Sequence, residues 1–272
     1  MIKHIFMDLD GTLLNSNGDI SDNNIRAIEE NQIPITLVSA RSPSEMKPII
    51  TKLNLLEQQV AFNGGIIYKQ DDFGMNIGQS HFIPHNISCF LINWIHQNFS
   101  MISLSYYTKK AWVALKKDLG VEFQAKLTGQ NPYFCATADE HFQNCENGIA
   151  KIMLIDLSEK NLLKIETKIN SLNLKGISIY KSMNRCLEIT SSLAQKDIAV
   201  KEVMKMKNLN VEETVAFGDG YNDISMLKTV GFPVVMGNAP EDVKQFGRFI
   251  TKANDADGVA YGINKIKNEY KI

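Results

Sequence analysis

Short apolar runs that end in polar residues recur along this chain, and this pattern constrains its fold more than any other feature. Runs at residues 5–7, 33–38 and 60–62 are separated by segments of helical character, and runs at residues 214–217 and 233–236 continue the pattern. Such alternation of strand and helix predicts a parallel α/β sheet with right-handed connections. Ligands of these sheets bind beyond the carboxyl ends of the strands, so the polar residues at those ends are the candidates for a functional site.

The first apolar run ends in two carboxylates, Asp8 and Asp10. Strand side chains alternate between the two faces, so both carboxylates start on the same side of the chain. Their mutual repulsion favours a bound cation, and Mg2+ prefers oxygen ligands of this kind. Asp8 is ionised at neutral pH and can attack phosphorus directly, which would form an aspartyl-phosphate. Taken by itself, the segment is also compatible with an ordinary solvated acidic turn.

A third carboxylate, Asp219, follows the apolar run at residues 214–217. Together with Asp8 and the backbone carbonyl of Asp10, it can hold Mg2+. The ion would neutralise the charge that otherwise keeps a carboxylate away from a phosphate dianion. Asp10 is predicted to protonate the leaving oxygen and then to activate water against the aspartyl-phosphate.

Several other polar residues near the strand ends suit a phosphate group. Ser39 offers a hydroxyl, and the backbone N–H groups after it point outwards at the start of a helix, where anions bind. Lys196 supplies a positive charge for the phosphate and for Asp8. Asp223 can orient either Lys196 or a metal-bound water. Taken singly, each of these residues also fits a helix cap or a solvated surface. The predicted substrate contacts are Ser39, Ala40, Arg41, Lys196 and Asn222, with Asp223 and Asn63 in supporting roles.

The middle of the chain differs in character from both ends. Residues 83–184 contain helical and strand-like segments but no concentrated polar motif. A piece of this length can have its own core, so it is predicted to be an inserted α/β domain. A long decoration packed on the first sheet is the alternative. The parallel pattern is expected to resume at Cys186-Leu-Glu-Ile189. The chain is thus divided into a core of residues 1–82 and 185–272 and an insertion of residues 83–184.

Composition excludes several classes of function. The formal net charge is −1 and no strongly basic block is present, so no nucleic-acid surface is predicted. No apolar run reaches the ~18 residues that a membrane span requires, and no signal peptide is recognisable. The four cysteines are scattered without a paired motif, which favours reduced structural thiols. A cytoplasmic protein is expected.

Seven polar motifs occur in a fixed order along the chain. They are Asp8-Leu-Asp10-Gly-Thr-Leu, Ser39-Ala-Arg41, Asn63-Gly-Gly65, Lys196, Gly218-Asp-Gly-Tyr-Asn-Asp223, Met236-Gly-Asn-Ala239 and residues 254–259. In this order they resemble the motifs of the haloacid dehalogenase superfamily, in particular those of its Cof-type phosphatases. The resemblance implies a Rossmann-like, doubly wound parallel core with an inserted α/β cap, Mg2+ dependence and hydrolysis of small phosphate esters. It also implies that Asp8 is the nucleophile, Asp10 the acid and base, Ser39 and Lys196 phosphate ligands, and Asp219 a metal ligand.

Two positions depart from the pattern of that family. Ala40 stands where the family usually has glycine, and it adds a methyl group where the backbone approaches phosphate. Asp197 replaces the small residue that commonly follows the motif lysine. Its carboxylate could form an ion pair with Lys196, and this pair would weaken the interaction of the lysine with phosphate. Neither departure removes an essential group, but both could lower the rate or narrow the range of substrates.

The sequence therefore predicts a Mg2+-dependent phosphatase that acts on small phosphorylated metabolites, with sugar phosphates as the first class to consider. A phosphotransferase or phosphomutase with the same intermediate is the second candidate, and it would require a second phosphate pocket. A phosphometabolite-binding regulator without catalysis is the third, although binding alone does not need both Asp8 and Asp10. A monomer or weak homodimer without nucleic-acid or membrane partners is expected.

Overall fold

The computed structural model describes residues 1–71, 74–135 and 148–270. The chain divides into two compact units. The first consists of Met1–Gln79 and Gln195–Ile272, and the second, Ser80–Ala194, is inserted between these two segments of the sequence. Residues 136–147 of the predicted insertion lie outside the described residues.

A five-stranded parallel sheet forms the centre of the first unit. Its strands are β1 (His4–Met7), β2 (Ile35–Leu37), β12 (Thr214–Gly218), β13 (Phe232–Val235) and β14 (Phe249–Ile250), in the spatial order β14-β13-β12-β1-β2. Both β1 and β12 are buried at every residue. Strands that are covered on both faces read as continuous apolar runs, which is why the sequence reveals them. The predicted α/β fold, a doubly wound parallel core with an inserted α/β domain, is confirmed.

Helices connect the strands of the first unit. They are α1 (Asp22–Asn31), α2 (Pro43–Lys52), α6 (Lys196–Met206), α7 (Ile224–Leu227), α8 (Glu241–Lys244) and α9 (Gly258–Tyr270). α2 begins with a reciprocal cap, in which the Ser42 hydroxyl accepts a hydrogen bond from the Glu45 N–H and the Glu45 carboxylate accepts one from the Ser42 N–H. This reciprocal cap fixes where the chain turns after β2.

A short strand, β3 (Gln59–Ala61), lies beside the end of β2. It pairs with β4 (Ile66–Asp71) in a small three-stranded sheet that also contains β5 (Gly74–Ser80). The buried Gln59 side chain accepts a hydrogen bond from the Leu37 N–H at 2.8 Å, as a neighbouring strand would. Because the Ser39 N–H also donates to the Val60 carbonyl at 3.0 Å, the end of β3 is held next to the end of β2.

The second unit is built on a six-stranded sheet with the order β10-β11-β9-β6-β7-β8. The strands are β6 (Ser103–Thr108), β7 (Trp112–Ala114), β8 (Tyr133–Phe134), β9 (Ile149–Ile155), β10 (Ile177–Met183) and β11 (Cys186–Ser191). The helices among its described residues are α3 (His85–Asn98), α4 (Leu119–Thr128) and α5 (Leu162–Ser171). Side chains of α3 and α5 pack on one face of the sheet in an apolar core that includes Leu91, Ile165 and Ile189. None of the helices that the structure describes is both long enough and apolar enough to cross a bilayer.

The predicted return to the parallel core at residues 186–189 is wrong. These residues belong to β11, which runs antiparallel to both β9 and β10 in the sheet of the second unit. Leu187 and Ile189 join the apolar core of that unit, while Glu188 on the opposite face lies 3.3 Å from Lys151 of β9. A strand that is buried on both faces looks the same in the sequence whichever sheet it enters. The first unit therefore resumes at Gln195.

His4 on β1 is a buried histidine inside the first unit. Its Nε2 atom lies 2.9 Å from the Thr36 hydroxyl oxygen. Burial, and to a smaller extent the charge of Lys207, lowers the pKa of His4 from 6.5 to about 3. The unfolded chain therefore takes up a proton at His4 below about pH 6.5, whereas the folded chain does so only near its lowered pKa. The contribution of neutral His4 to the free energy of unfolding is therefore fully present above about pH 6.5 and is lost as the pH falls.

We expect His4→Gln to flatten the pH dependence of stability. Between about pH 7.5 and about pH 5, the free energy of unfolding of the wild-type protein should fall by about 2 kcal/mol more than that of the variant, since one pKa unit corresponds to about 1.4 kcal/mol. Glutamine can keep a hydrogen bond to Thr36 but does not titrate. Urea denaturation of both proteins at both pH values measures the difference, and an equal fall in the two proteins would contradict the assignment.

Candidate active site

The loops that follow β2, β1 and β12 meet at one edge of the parallel sheet. The Val38 N–H donates to the Met7 carbonyl at 2.8 Å, and the Asp8 N–H donates to the Phe217 carbonyl at 3.0 Å. Sheet pairing thus continues to the last residue of each strand. As a result, the polar side chains after neighbouring strands lie side by side, as the sequence pattern predicts.

Lys196 lies between two buried carboxylates. Its Nζ atom is 2.5 Å from Asp8 Oδ1 and 2.6 Å from Asp223 Oδ1. The side chains of Lys196, Asp8 and Asp223 are exposed for only 1%, 8% and 1% of their area. Asp223 Oδ2 in turn accepts hydrogen bonds from the backbone N–H groups of Asp219 and Gly220 at 3.0 and 2.9 Å. Asp223 therefore anchors the lysine, and the lysine anchors one oxygen of Asp8.

Asp219 is held by polar groups from two other segments. The Thr12 hydroxyl donates to Asp219 Oδ1 at 2.8 Å. The Asn238 amide lies 3.4 Å from Asp219 Oδ2 and donates to the Gly11 carbonyl at 2.8 Å. Gly11 has φ +81°, and a Cβ atom there would lie 2.3 Å from Asp219 Oδ2. Only glycine allows the first loop to approach Asp219 this closely.

The donor set around Asp8 fits a hard divalent cation. Asp8, Asp219 and Asp223 each place one carboxylate oxygen within 4.8 Å of the others. Burial, and next the nearby Asp223, raises the pKa of Asp8 well above its usual value, although Lys196 lowers it. Burial also raises the pKa of Asp219 to about 6. One lysine does not balance three close carboxylates, and an added cation would favour their ionised forms.

The carboxylate of Asp10 points to a different partner. Arg41 donates from Nε to Asp10 Oδ2 at 2.9 Å and from Nη2 to Asp10 Oδ1 at 2.5 Å. Partial burial lowers the pKa of Arg41, but the hydrogen bonds to Asp10 raise it, with a net increase. This bidentate contact fixes the plane of the Asp10 carboxylate. The structure thus brings the predicted substrate contact Arg41 to the predicted acid and base Asp10.

The predicted phosphate contacts lie around the same edge. Ser39 is buried, and its hydroxyl accepts a hydrogen bond from the Arg41 N–H at 3.2 Å. Ala40 lies between them, just before the cap of α2. The Asn63 N–H donates to the Ser39 carbonyl at 2.7 Å, and the Asn222 amide lies 3.5 Å from Asn63 Oδ1. The structure thus joins these residues in one continuous group.

The expected pairing of Asp197 with Lys196 does not occur. Asp197 instead forms an ion pair with Lys201 one helical turn later, at 2.7 Å. Adjacent residues on a helix point about 100° apart, whereas residues four apart share a face. Lys196 therefore points to Asp8 and Asp223, while Asp197 points along α6. The departure at position 197 leaves the lysine paired as described above.

Residues 5–263 match the protein family described as haloacid dehalogenase-like hydrolase. This chain belongs to that family. The resemblance seen in the ordered motifs is thereby confirmed, and the match includes every predicted site residue. Membership makes the chain an enzyme of the hydrolase type.

Individual relatives of this haloacid dehalogenase-like hydrolase cover almost its whole length. A protein of Haemophilus influenzae is 29% identical over 275 residues, which is 96% of each chain. Phosphatase YwpJ of Bacillus subtilis is 27% identical, over 96% of this chain and 98% of its own. Among solved structures, a haloacid dehalogenase-like hydrolase from Bacteroides thetaiotaomicron superposes with a TM-score of 0.87 at 28% identity, covering 98% of this chain and 100% of that one.

Two residues of this haloacid dehalogenase-like hydrolase that contact Asp219 are absent from the site predicted from the sequence. Thr12 and Asn238 both lie inside the ordered motifs, and Asn238 follows the strand β13 as the other site residues follow theirs. That position at a strand end is the signal that could have identified Asn238. Its own orientation depends on Asn254, whose N–H donates to Asn238 Oδ1 at 2.9 Å.

Proposed function

We propose that this chain is a Mg2+-dependent phosphatase that hydrolyses small phosphorylated metabolites through an aspartyl-phosphate on Asp8, with sugar phosphates as the first class to test. The observation that carries the proposal is the position of Asp8: it is buried, bound at one oxygen by Lys196, and next to Asp219 and Asp223. The name of the relative YwpJ as a phosphatase supports the same class of reaction.

Asp8 attacks the phosphorus atom in the first step. Lys196 binds Oδ1, so we assign the attack to Oδ2. The new Oδ2–P bond forms as the bond from phosphorus to the ester oxygen breaks, and Asp10 supplies the proton that the leaving oxygen needs. In the second step water attacks phosphorus, Asp10 takes up a proton, and the Oδ2–P bond breaks to release phosphate. Each cycle regenerates the carboxylate of Asp8 and the protonated form of Asp10.

The remaining residues position and stabilise the reacting groups. Ser39, Lys196 and Asn222 bind the phosphate oxygens, and Asp223 keeps Lys196 in place. Arg41 donates to both carboxylate oxygens of Asp10, which fixes the orientation of that side chain. Asp8, Asp219 and the backbone carbonyl of Asp10 would hold Mg2+. When bound, the ion lowers the repulsion between the carboxylates and an incoming phosphate.

A panel of phosphate esters tests this proposal. The purified protein is incubated with sugar phosphates, nucleotides and polyol phosphates in the presence of Mg2+ or of EDTA, and free phosphate is measured. We expect phosphate release with Mg2+ and a loss of at least about a hundredfold with EDTA, since the ion supplies several kcal/mol of charge stabilisation.

Other outcomes of the same assay would contradict it. Transfer of the phosphoryl group to an added sugar without release of phosphate would identify a phosphotransferase or phosphomutase. Binding of a phosphate ester without turnover under any condition would identify a regulator. The predicted cytoplasmic location, the absence of nucleic-acid and membrane partners, and the monomeric or weakly dimeric state stay predictions.

A further inference from the structure

Three successive residues after β3 have left-handed backbone conformations. Phe62, Asn63 and Gly64 have φ values of +53°, +56° and +112°. Asparagine and glycine adopt positive φ readily, but a bulky residue such as phenylalanine seldom does. The Phe62 side chain is fully buried, so the surrounding structure holds the segment in this form. Backbone conformations of this kind persist where neighbouring contacts enforce them, and they concentrate at functional sites.

This left-handed segment contacts the strand end that carries Ser39. The Asn63 N–H donates to the Ser39 carbonyl at 2.7 Å, and the Phe62 N–H donates to the Arg41 carbonyl at 3.0 Å. Both acceptor carbonyls belong to the loop between β2 and α2. The segment therefore fixes the backbone on either side of Ala40, next to the proposed phosphate ligand Ser39.

The same segment contacts the residue that precedes Lys196. A Cβ atom on Gly64 would lie 2.7 Å from the Gln195 carbonyl oxygen and 3.0 Å from the Gln195 nitrogen. The two backbones are thus packed directly against each other, with no room for a side chain between them. Since Gln195 is the residue before α6 begins, the position of Gly64 sets where Lys196 enters the site.

The Asn63 side chain reaches the third proposed phosphate ligand. Its Oδ1 atom lies 3.5 Å from the Asn222 amide nitrogen. An acceptor at this place favours the rotamer in which the Asn222 amide nitrogen, rather than its carbonyl oxygen, faces Asn63. The second hydrogen of that amide nitrogen stays available for a phosphate oxygen.

We propose that the left-handed segment, residues 62–64, is the positioning element of the phosphate site, because it joins the three segments that carry Ser39, Lys196 and Asn222. The inference rests on the proposed phosphatase function and adds the residues that set the geometry of phosphate binding. Phe62, Asn63 and Gly64 themselves have no assigned contact with the reacting atoms. Asn63 and Gly64 act through the ligands that they hold.

Gly64→Ala tests the backbone part, with Gly74→Ala as the matched control. Both glycines have positive φ, +112° and +127°, but a Cβ atom on Gly74 would meet nothing within 4 Å. Both variants therefore carry similar backbone strain, and only Gly64→Ala pushes against Gln195. We expect the affinity for inorganic phosphate, measured by calorimetry with Mg2+ present, to fall about tenfold in Gly64→Ala. Phosphate affinity should be unchanged in Gly74→Ala.

Asn63→Gly tests the side chain without disturbing the backbone, because glycine accepts the left-handed conformation. We expect phosphate affinity to fall about fivefold, the loss of one neutral hydrogen bond. The double variant Asn63→Gly with Asn222→Ala should bind phosphate no more weakly than Asn222→Ala alone, since Asn63 acts through Asn222. Asn54→Gly removes another left-handed asparagine, beyond the far end of α2, and should leave phosphate affinity unchanged.

Two results would overturn the inference while leaving the phosphatase proposal intact. One is equal phosphate affinity in Gly64→Ala and Gly74→Ala, and the other is wild-type affinity in Asn63→Gly. If Gly64→Ala does not fold, the Asn63 and Asn222 variants decide alone. A wild-type protein that neither binds phosphate nor hydrolyses phosphate esters would overturn the proposed function together with this inference.

Discussion

Asp8→Asn is expected to lower phosphatase activity by a factor of about 10,000 or more. The substitution keeps the shape of the side chain but removes the nucleophilic oxygen, and loss of a nucleophile has effects of this size or greater in well-studied hydrolases. The folded protein should be at least as stable as the wild type. The amide that replaces the Asp8 carboxylate carries no charge to be buried next to Asp223 and Asp219, and Lys196 keeps Asp223 as its partner.

Phosphate release and urea denaturation, measured on the same preparation, separate the two effects. Asp19→Asn is the matched control, because Asp19 is an exposed carboxylate in the loop that follows the nucleophile. It should retain wild-type activity. Full activity in Asp8→Asn would exclude the proposed aspartyl-phosphate, whereas loss of activity through unfolding would appear in the denaturation curve.

Lys196→Met is expected to damage both catalysis and folding. Without the ammonium group, Asp8 and Asp223 face each other in a buried site with no cation between them. Removal of one partner from a buried ion pair typically costs about 3–5 kcal/mol. We expect about that loss in the free energy of unfolding, together with a fall in kcat/KM of about a thousandfold, since a buried charge that stabilises the transition state is removed.

The control for this prediction lies on the same helix. Lys201→Met removes an exposed lysine whose partner is Asp197, and surface ion pairs contribute about 0–1 kcal/mol. Its activity should match that of the wild type. If Lys196→Met and Lys201→Met had the same stability and kcat/KM, Lys196 would not have the central role assigned to it.

The general location of the site could be predicted from the sequence for a simple physical reason. In a parallel sheet, every strand that begins on one side ends on the other, so the polar residues after β1, β2 and β12 must gather at one edge. This rule alone places Asp8, Ser39 and Asp219 at the same edge of the sheet. The start of α2 can also be recognised in the sequence, because its cap depends only on residues that are three positions apart.

The pairing of side chains within the site could not be predicted in the same way. Arg41 and Asp10 come from different strand ends, and which of several nearby charges Arg41 binds depends on the side-chain conformations of both residues. Asp197 illustrates the same limit, since its neighbour in sequence points away from it along the helix. The sheet to which residues 186–191 belong could not be predicted either, because the sequence of a buried strand does not specify its strand partners.

The order of strands in the parallel sheet has a consequence for the time course of synthesis. β1 lies between β2, from the first part of the chain, and β12, from the last part, and the lysine that binds Asp8 is 188 residues further along. During translation, Asp8 is therefore made long before the residues that neutralise it and cover its strand. The inserted unit emerges in the interval and has its own apolar core, so it can fold while the nucleophile strand still waits for its second neighbour.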